Sequence, residues 1–143
     1  MEMIGHYIGG AHVSGESGRT ADVYNPATGE VQAKVALAND AEMAKAVEIA
    51  ATSQPAWAAK NPQVRARVMM KMVSLLHRDM NKLAEALSRE HGKTLPDAKG
   101  DVVRGLEVVE YCIGAPQLLK GEFTDGAGPG IDMYSMKQPL GVT

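Results

Sequence analysis

The first 38 residues read as short apolar strands separated by turns, and the apolar positions then settle into a spacing of three and four. His6-Tyr7-Ile8 and Ala11-His12-Val13 flank Gly9-Gly10, which predicts a two-residue β-hairpin. Asp22-Val23-Tyr24 predicts a short strand ending at Asn25-Pro26-Ala27-Thr28-Gly29, where Pro26 fixes φ and Gly29 permits a positive φ. Val31, Ala33, Val35 and Leu37 then alternate with Gln32, Lys34 and Ala36, the pattern of a half-buried strand.

The middle of the chain reads as helix. Asn39 and Glu42 have the spacing of a reciprocal cap, and Met43, Ala46, Val47 and Ala50 share the face expected to be buried. Pro55 is expected to end or bend this helix, with Trp57 anchoring the turn after it. Asn61-Pro62 starts the next one, and Val64, Val68, Met72, Leu76, Met80, Leu83 and Leu87 form one apolar stripe. A break is expected near Asp79, and Gly92 is placed to cap the C-terminal end. Thr94 opens another helix carrying Val102, Val103, Leu106, Val108, Val109, Cys112 and Ile113, too many apolar residues for a narrow stripe. Pro116 should kink or end it. Gly121 to Gly130 is expected to be a loop, followed by a β-rich stretch at Met133 to Met136. Gln138-Pro139-Leu140-Gly141-Val142-Thr143 reads as the start of a further strand. The fold class is therefore α/β: an N-terminal β-hairpin and strands, then a helical bundle.

Composition narrows the function classes. A net charge of -2 gives no electrostatic case for nucleic acid or an anionic membrane, and 4% aromatics do not furnish a base-stacking surface. Nine methionines suit irregular gaps between helices. One cysteine excludes an internal disulfide and a CxxC metal site. No apolar run reaches the roughly 20 residues of a membrane helix, and the first residues lack a secretory pattern, so a soluble cytoplasmic protein is expected.

Few residues have the pattern of a chemical site. Cys112 lies in an apolar helical stretch with no neighbouring His or Lys in sequence, so it is expected to be buried and structural. Gly126-Ala127-Gly128-Pro129-Gly130 departs from the dinucleotide-binding spacing, lacks a preceding apolar strand and a following helix, and reads as a connecting loop. His6, His12, His77 and His91 have no metal-ligand spacing. Glu107 and Glu110 read as a solvated face, and Glu85 could pair with Lys82 or Arg89.

Several short motifs occur together and in order. Tyr7-Ile8-Gly9-Gly10 comes first, then Asn25 to Glu30, Trp57, the Arg-rich helix start at Arg65 and Arg67, Glu90-His91-Gly92-Lys93-Thr94, and Gln138 to Val142. Over essentially all its 143 residues the chain resembles the N-terminal portion of the aldehyde dehydrogenase superfamily. Glu90 to Asp101, Arg104 to Glu110 and Leu118 to Glu122 bring it nearest to the CoA-acylating methylmalonate-semialdehyde dehydrogenases.

The resemblance implies an incomplete part of the family fold. Residues 1–131 would belong to the coenzyme-binding domain, with strands over 6–38 and helices over about 40–120. Residues 132–143 would begin the strand of an oligomerisation arm. The family's nucleophilic cysteine, general-base glutamate and nicotinamide site have no counterpart here, so no catalytic, cofactor-binding or metal residue is expected. The implied reaction oxidises methylmalonate or malonate semialdehyde with NAD and transfers the acyl group from the cysteine to coenzyme A. The resemblance implies that those cofactors belong to the longer enzyme, a homo-oligomer, and that this chain alone is inactive and binds neither. The alternative is a non-catalytic module that associates with itself or with a full-length subunit. Either way the helices carry broad apolar faces, so marginal stability is expected.

Arg104 is the one site residue. By pattern alone it is a helix-surface arginine beside Gly105, among Val102, Val103 and Leu106. The resemblance places an arginine at this position facing the substrate tunnel, which implies a bond to the semialdehyde's carboxylate. A planar guanidinium can hold a carboxylate through two parallel hydrogen bonds.

Overall fold

The computed structural model describes residues 1–143, in three small sheets and a group of helices. The strands are β1 (Glu2–Ile4), β2 (His6–Ile8), β3 (Ala11–Val13), β4 (Thr20–Tyr24) and β5 (Val31–Ala36). β2 and β3 form the expected hairpin, with His6 opposite Val13 and both Gly9 and Gly10 at positive φ. β5 is the centre of a three-stranded sheet, parallel to β1 on one side and antiparallel to β4 on the other. β1 lies outside the expected strand span, because a strand of three residues is too short to show an alternation.

The period-two expectation for β5 is corrected. Ala33 and Ala36, on opposite faces of the strand, are both buried. A central strand covered on both faces does not show clean alternation.

The helices follow: α1 (Asp40–Ala58), α2 (Pro62–Arg78), α3 (Met80–His91), α4 (Leu95–Ile113) and the single turn α5 (Ala115–Leu118). The cap of α1 forms as read. Glu42 N–H donates to Asn39 Oδ1 at 2.8 Å, and Asn39 N–H donates to Glu42 Oε2 at 2.9 Å. The other carboxylate oxygen accepts from Glu16 N–H at 2.7 Å, which ties the loop after β3 to the helix. α1 runs through Pro55, and Trp57 lies in its last turn, not in the turn beyond it. A proline so near the C-terminal end forfeits only its own N–H, and its carbonyl still accepts from Ala59 at 3.0 Å.

Asp79 separates α2 from α3, and Gly92 closes α3 at φ 83°, both as expected. Two apolar faces are corrected. In α1, Met43, Val47 and Ala50 are exposed, and Glu42, Ala46 and Ile49 point inward. In α2, Val64, Val68 and Met72 are exposed, and Ala66, Met69 and Val73 point inward. Each helix has apolar residues on more than one face, so spacing alone does not say which side is covered.

α4 is the hub, packing on α3 and on α2. Small residues allow the close approach: Ala84 of α3 and Ala98 of α4 are both 0% exposed. α3 also meets the three-stranded sheet, where Gln32 Nε2 donates to Arg89 O at 3.3 Å and Arg89 reaches Glu2 at 3.5 Å. Arg89 thus pairs with Glu2, and Glu85 pairs with neither Lys82 nor Arg89.

The last segment departs most from expectation. Gly121 to Gly130 is not a loop: β6 (Phe123–Gly128) pairs with β7 (Ile131–Tyr134) in an antiparallel hairpin. Residues 135–143 have no regular structure, so Gln138 to Thr143 is not a strand here. Only seven of the 143 residues are buried, and no large side chain is fully so. No helix is long and apolar enough to cross a membrane.

Candidate functional site

The inward face of α4 carries Ala98, Val102, Leu106, Val109 and Ile113, at spacings of three and four. That face holds the helix against its neighbours and leaves Arg104 outside, on the exposed side. Arg104 has no ion-pair partner. Gly100 precedes it by one turn and Gly105 adjoins it; a Cβ placed at either glycine would meet no atom within 4 Å. Val108, one turn after it, is 62% exposed. The result is a cation in open space with an apolar residue beside it on the helix.

The acid one turn before Arg104, Asp101, is already committed. Lys93, in the loop before α4, donates to Asp101 and lies 3.7 Å from Asp97. The bond with Asp101 holds the Lys93 ammonium above its ordinary value, and the bond with Lys93 holds the Asp101 carboxyl below its own. The motif Glu90 to Thr94 thus positions a lysine that takes up the carboxylate one turn before Arg104. Chemically, an exposed guanidinium without an ion pair can bind an anion.

Other sequence candidates lie elsewhere. Cys112 is exposed, which corrects the expectation of burial. It follows Arg104 by eight residues, about 12 Å along the helix axis, so the two do not share a site. It lines a cleft of about 190 Å³ with Trp57, Pro62, Arg65, Met69, Pro116 and Leu119. Sequence reading gives Arg65 no role there, although a basic residue in a helix's first turn opposes the helix dipole and so invites a search for its partner.

The glycine-rich run 126–130 ends β6 and forms the turn into β7. Gly126 N–H donates to Asp132 Oδ1 at 2.9 Å, so an amide that could face a phosphate is held by a carboxylate, and the run does not fit a dinucleotide. Glu107 and Glu110 are exposed, as is His77. His6 Nε2 is buried 3.9 Å from Glu42 Oε1 and has no hydrogen-bond partner. No three His, Cys, Asp or Glu side chains gather as a metal site would require.

Residues 12–143 match the aldehyde dehydrogenase family. A malonate-semialdehyde dehydrogenase of Pseudomonas aeruginosa is 44% identical over 142 residues, which are 99% of this chain and 28% of that protein. An acylating, mitochondrial methylmalonate-semialdehyde dehydrogenase of Arabidopsis thaliana is 42% identical over 97% of this chain and 23% of its own length. Among solved structures, a Sinorhizobium meliloti protein assigned as a methylmalonate-semialdehyde dehydrogenase, in complex with NAD, is 65% identical with a TM-score of 0.93. That match covers 99% of this chain and 29% of the other. The chain therefore spans about a quarter of the length of these relatives.

Proposed function

The chain belongs to the aldehyde dehydrogenase family, and from that premise we propose that it forms the N-terminal scaffold of an NAD-dependent, CoA-acylating enzyme. That enzyme oxidises methylmalonate or malonate semialdehyde to an acyl-CoA. The observation that carries the reading is the 65% identity, over 99% of the chain, to a protein assigned as a methylmalonate-semialdehyde dehydrogenase. Residues 1–131 form the N-terminal part of the coenzyme-binding domain, and residues 132–143 lead into the oligomerisation arm of a cytoplasmic homo-oligomer. NAD and coenzyme A belong to the whole enzyme, and this chain alone reduces no NAD.

Arg104 is the contribution of this chain to specificity. Its guanidinium binds the carboxylate at the far end of the semialdehyde and so aims the aldehyde away from α4. Its lack of an ion pair and the open space over Gly100 and Gly105 support this role. Replacing Arg104 with Leu in the enzyme that carries this chain should lower kcat/KM for methylmalonate semialdehyde by about tenfold to a hundredfold, the worth of hydrogen bonds to a charged group. Propanal, which has no carboxylate, should be turned over unchanged. Equal kcat/KM for the acidic substrate in both proteins would end the assignment.

A second reading has one observation in its favour. β6 and β7 make their main contacts with each other, and Phe123, Ile131, Met133 and Tyr134 are all exposed. Such a hairpin suits a module that associates with itself or with a full-length subunit. Light scattering of the chain across a concentration series separates the two states: a monomer at every concentration would count against association.

A further inference from the structure

His6 Nε2 is buried and has no hydrogen-bond partner. Such a nitrogen is unfavourable in either form, because a bare lone pair lacks a donor and an N–H lacks an acceptor. The carboxylate facing it is Glu42, whose Oε1 lies 3.9 Å away, and the two side chains are 19% and 8% exposed. That separation is beyond a hydrogen bond. The loop after β3 closes the other side. Gly15 has φ 90°, and a Cβ built on it would stand 3.3 Å from His6 Nε2 and 2.9 Å from Ala36 Cβ. The ring is thus lodged between that loop, β5 and the first turn of α1.

The pair stands where the hairpin meets the helices. β2 and β3 pair only with each other. Glu16 N–H, just past the hairpin, donates to the same Glu42 Oε1 at 2.7 Å. Bonds from Asn39 N–H and then Glu16 N–H hold the Glu42 carboxyl below its ordinary value of 4.5, so it is charged wherever an imidazole titrates. An imidazolium beside it would feel a full opposite charge that solvent screens only in part. We propose that His6 and Glu42 form a proton-operated latch, in which protonation of the imidazole draws Nε2 onto Glu42 Oε1 and fastens the β2–β3 hairpin to the first turn of α1. Loss of the proton releases that bond. The other charged groups around the pair are Glu16 of the loop, Lys45 of α1 and Arg19 before β4. Glu, Lys and Arg side chains ordinarily titrate outside the range from about pH 5.5 to about pH 8.5. β5 presents Ala36 and β3 presents Val13, and neither titrates. His12 packs on Tyr7, on the opposite face of the hairpin. The latch stabilises the fold while the imidazole is charged. Its contribution is therefore present below about pH 6.5, the ordinary imidazole value, and is lost as the pH rises past it.

Urea unfolding of the chain, His6→Gln, Glu42→Gln and the double variant isolates the pair, because every other contribution, His12 included, cancels in the cycle. At about pH 5.5 the two substitutions should be coupled by about tenfold in the unfolding equilibrium constant, the usual strength of a hydrogen bond to a charged group. At about pH 8.5, with an ordinary imidazole neutral, the coupling should vanish. Equal coupling at both pH values, or none at either, would overturn the proposal. Should a variant fail to fold, the unaltered chain still decides. The Glu16 amide shares Glu42 Oε1 with the latch, so its resonance in a proton–nitrogen correlation spectrum should move as the His6 ring titrates. A Glu16 amide resonance that stays fixed from about pH 8.5 to about pH 5.5 would equally overturn it. Neither readout involves Arg104 or turnover, so failure of the latch leaves the functional reading standing, and the reverse also holds.

Discussion

Lys93 donates a hydrogen bond to Asp101, and Asp101 stands one turn before Arg104 on the same helix. The lysine therefore engages an acid that could otherwise pair with the arginine. Opposite charges three residues apart on a helix meet readily. In the enzyme carrying this chain, Lys93→Met should release Asp101 to pair with Arg104. KM for methylmalonate semialdehyde should rise several-fold while that for propanal stays fixed. Steady-state kinetics on both substrates check this, and an unmoved KM for the acidic aldehyde would show that Lys93 has no such part.

Two of the short motifs meet in space at Gly92. Its φ is 83°, and a Cβ built on it would lie 2.9 Å from Pro26 Cγ in the Asn25–Gly29 turn. Gly92→Ala thus combines a left-handed backbone with a steric clash and should destabilise the protein by more than about 1 kcal/mol. Gly18→Ala is the control, since its φ is also positive but nothing lies near its Cβ position. Urea denaturation of the two variants should show the larger loss for Gly92→Ala.

Glu42 sets an acid limit. It is 7% exposed, and hydrogen bonds from Asn39 N–H first, then from Glu16 N–H, hold its carboxyl below the ordinary value of 4.5. A depressed folded value means that the unfolded chain takes up the proton first. The stabilisation is therefore complete above pH 4.5 and is lost as the pH falls through the folded value. Asp79 and Asp101 are depressed as well, but they titrate alike in protein and variant and cancel in the difference. Glu42→Gln should be less stable than the parent at neutral pH, and the gap should close on acidification below pH 4.5. Thermal melts across that range measure the gap, and a constant one would contradict the assignment.

The local code was well marked in the sequence where a side chain acts on its own backbone. Asn39 with Glu42, Asn61 with Pro62, Gly9-Gly10 and Gly92 all do so, and all formed as read. Long-range cover was not legible. Val64 and Met69 are both apolar residues of one helix, yet Val64 is exposed and Met69 half-buried, because the position of α4 decides between them. The hairpin of β6 and β7 was hidden by its glycines, which read as loop until the pairing of Phe123 with Tyr134 is seen. Arg104 could be found through the resemblance, whereas its freedom from Asp101 depends on the position of Lys93 in the folded chain. Arg65 stood in a motif, but the surroundings that leave its Nε without a partner come from four helices brought together.

The most direct test joins this chain to the remainder of the Sinorhizobium meliloti relative, in place of the part it matches, and follows NAD reduction with methylmalonate semialdehyde and coenzyme A. The joined protein should reduce NAD and form an acyl-CoA, while the chain of 143 residues on its own does neither. A joined protein that folds and assembles but turns over no semialdehyde, or NAD reduction by the chain alone, would contradict the account.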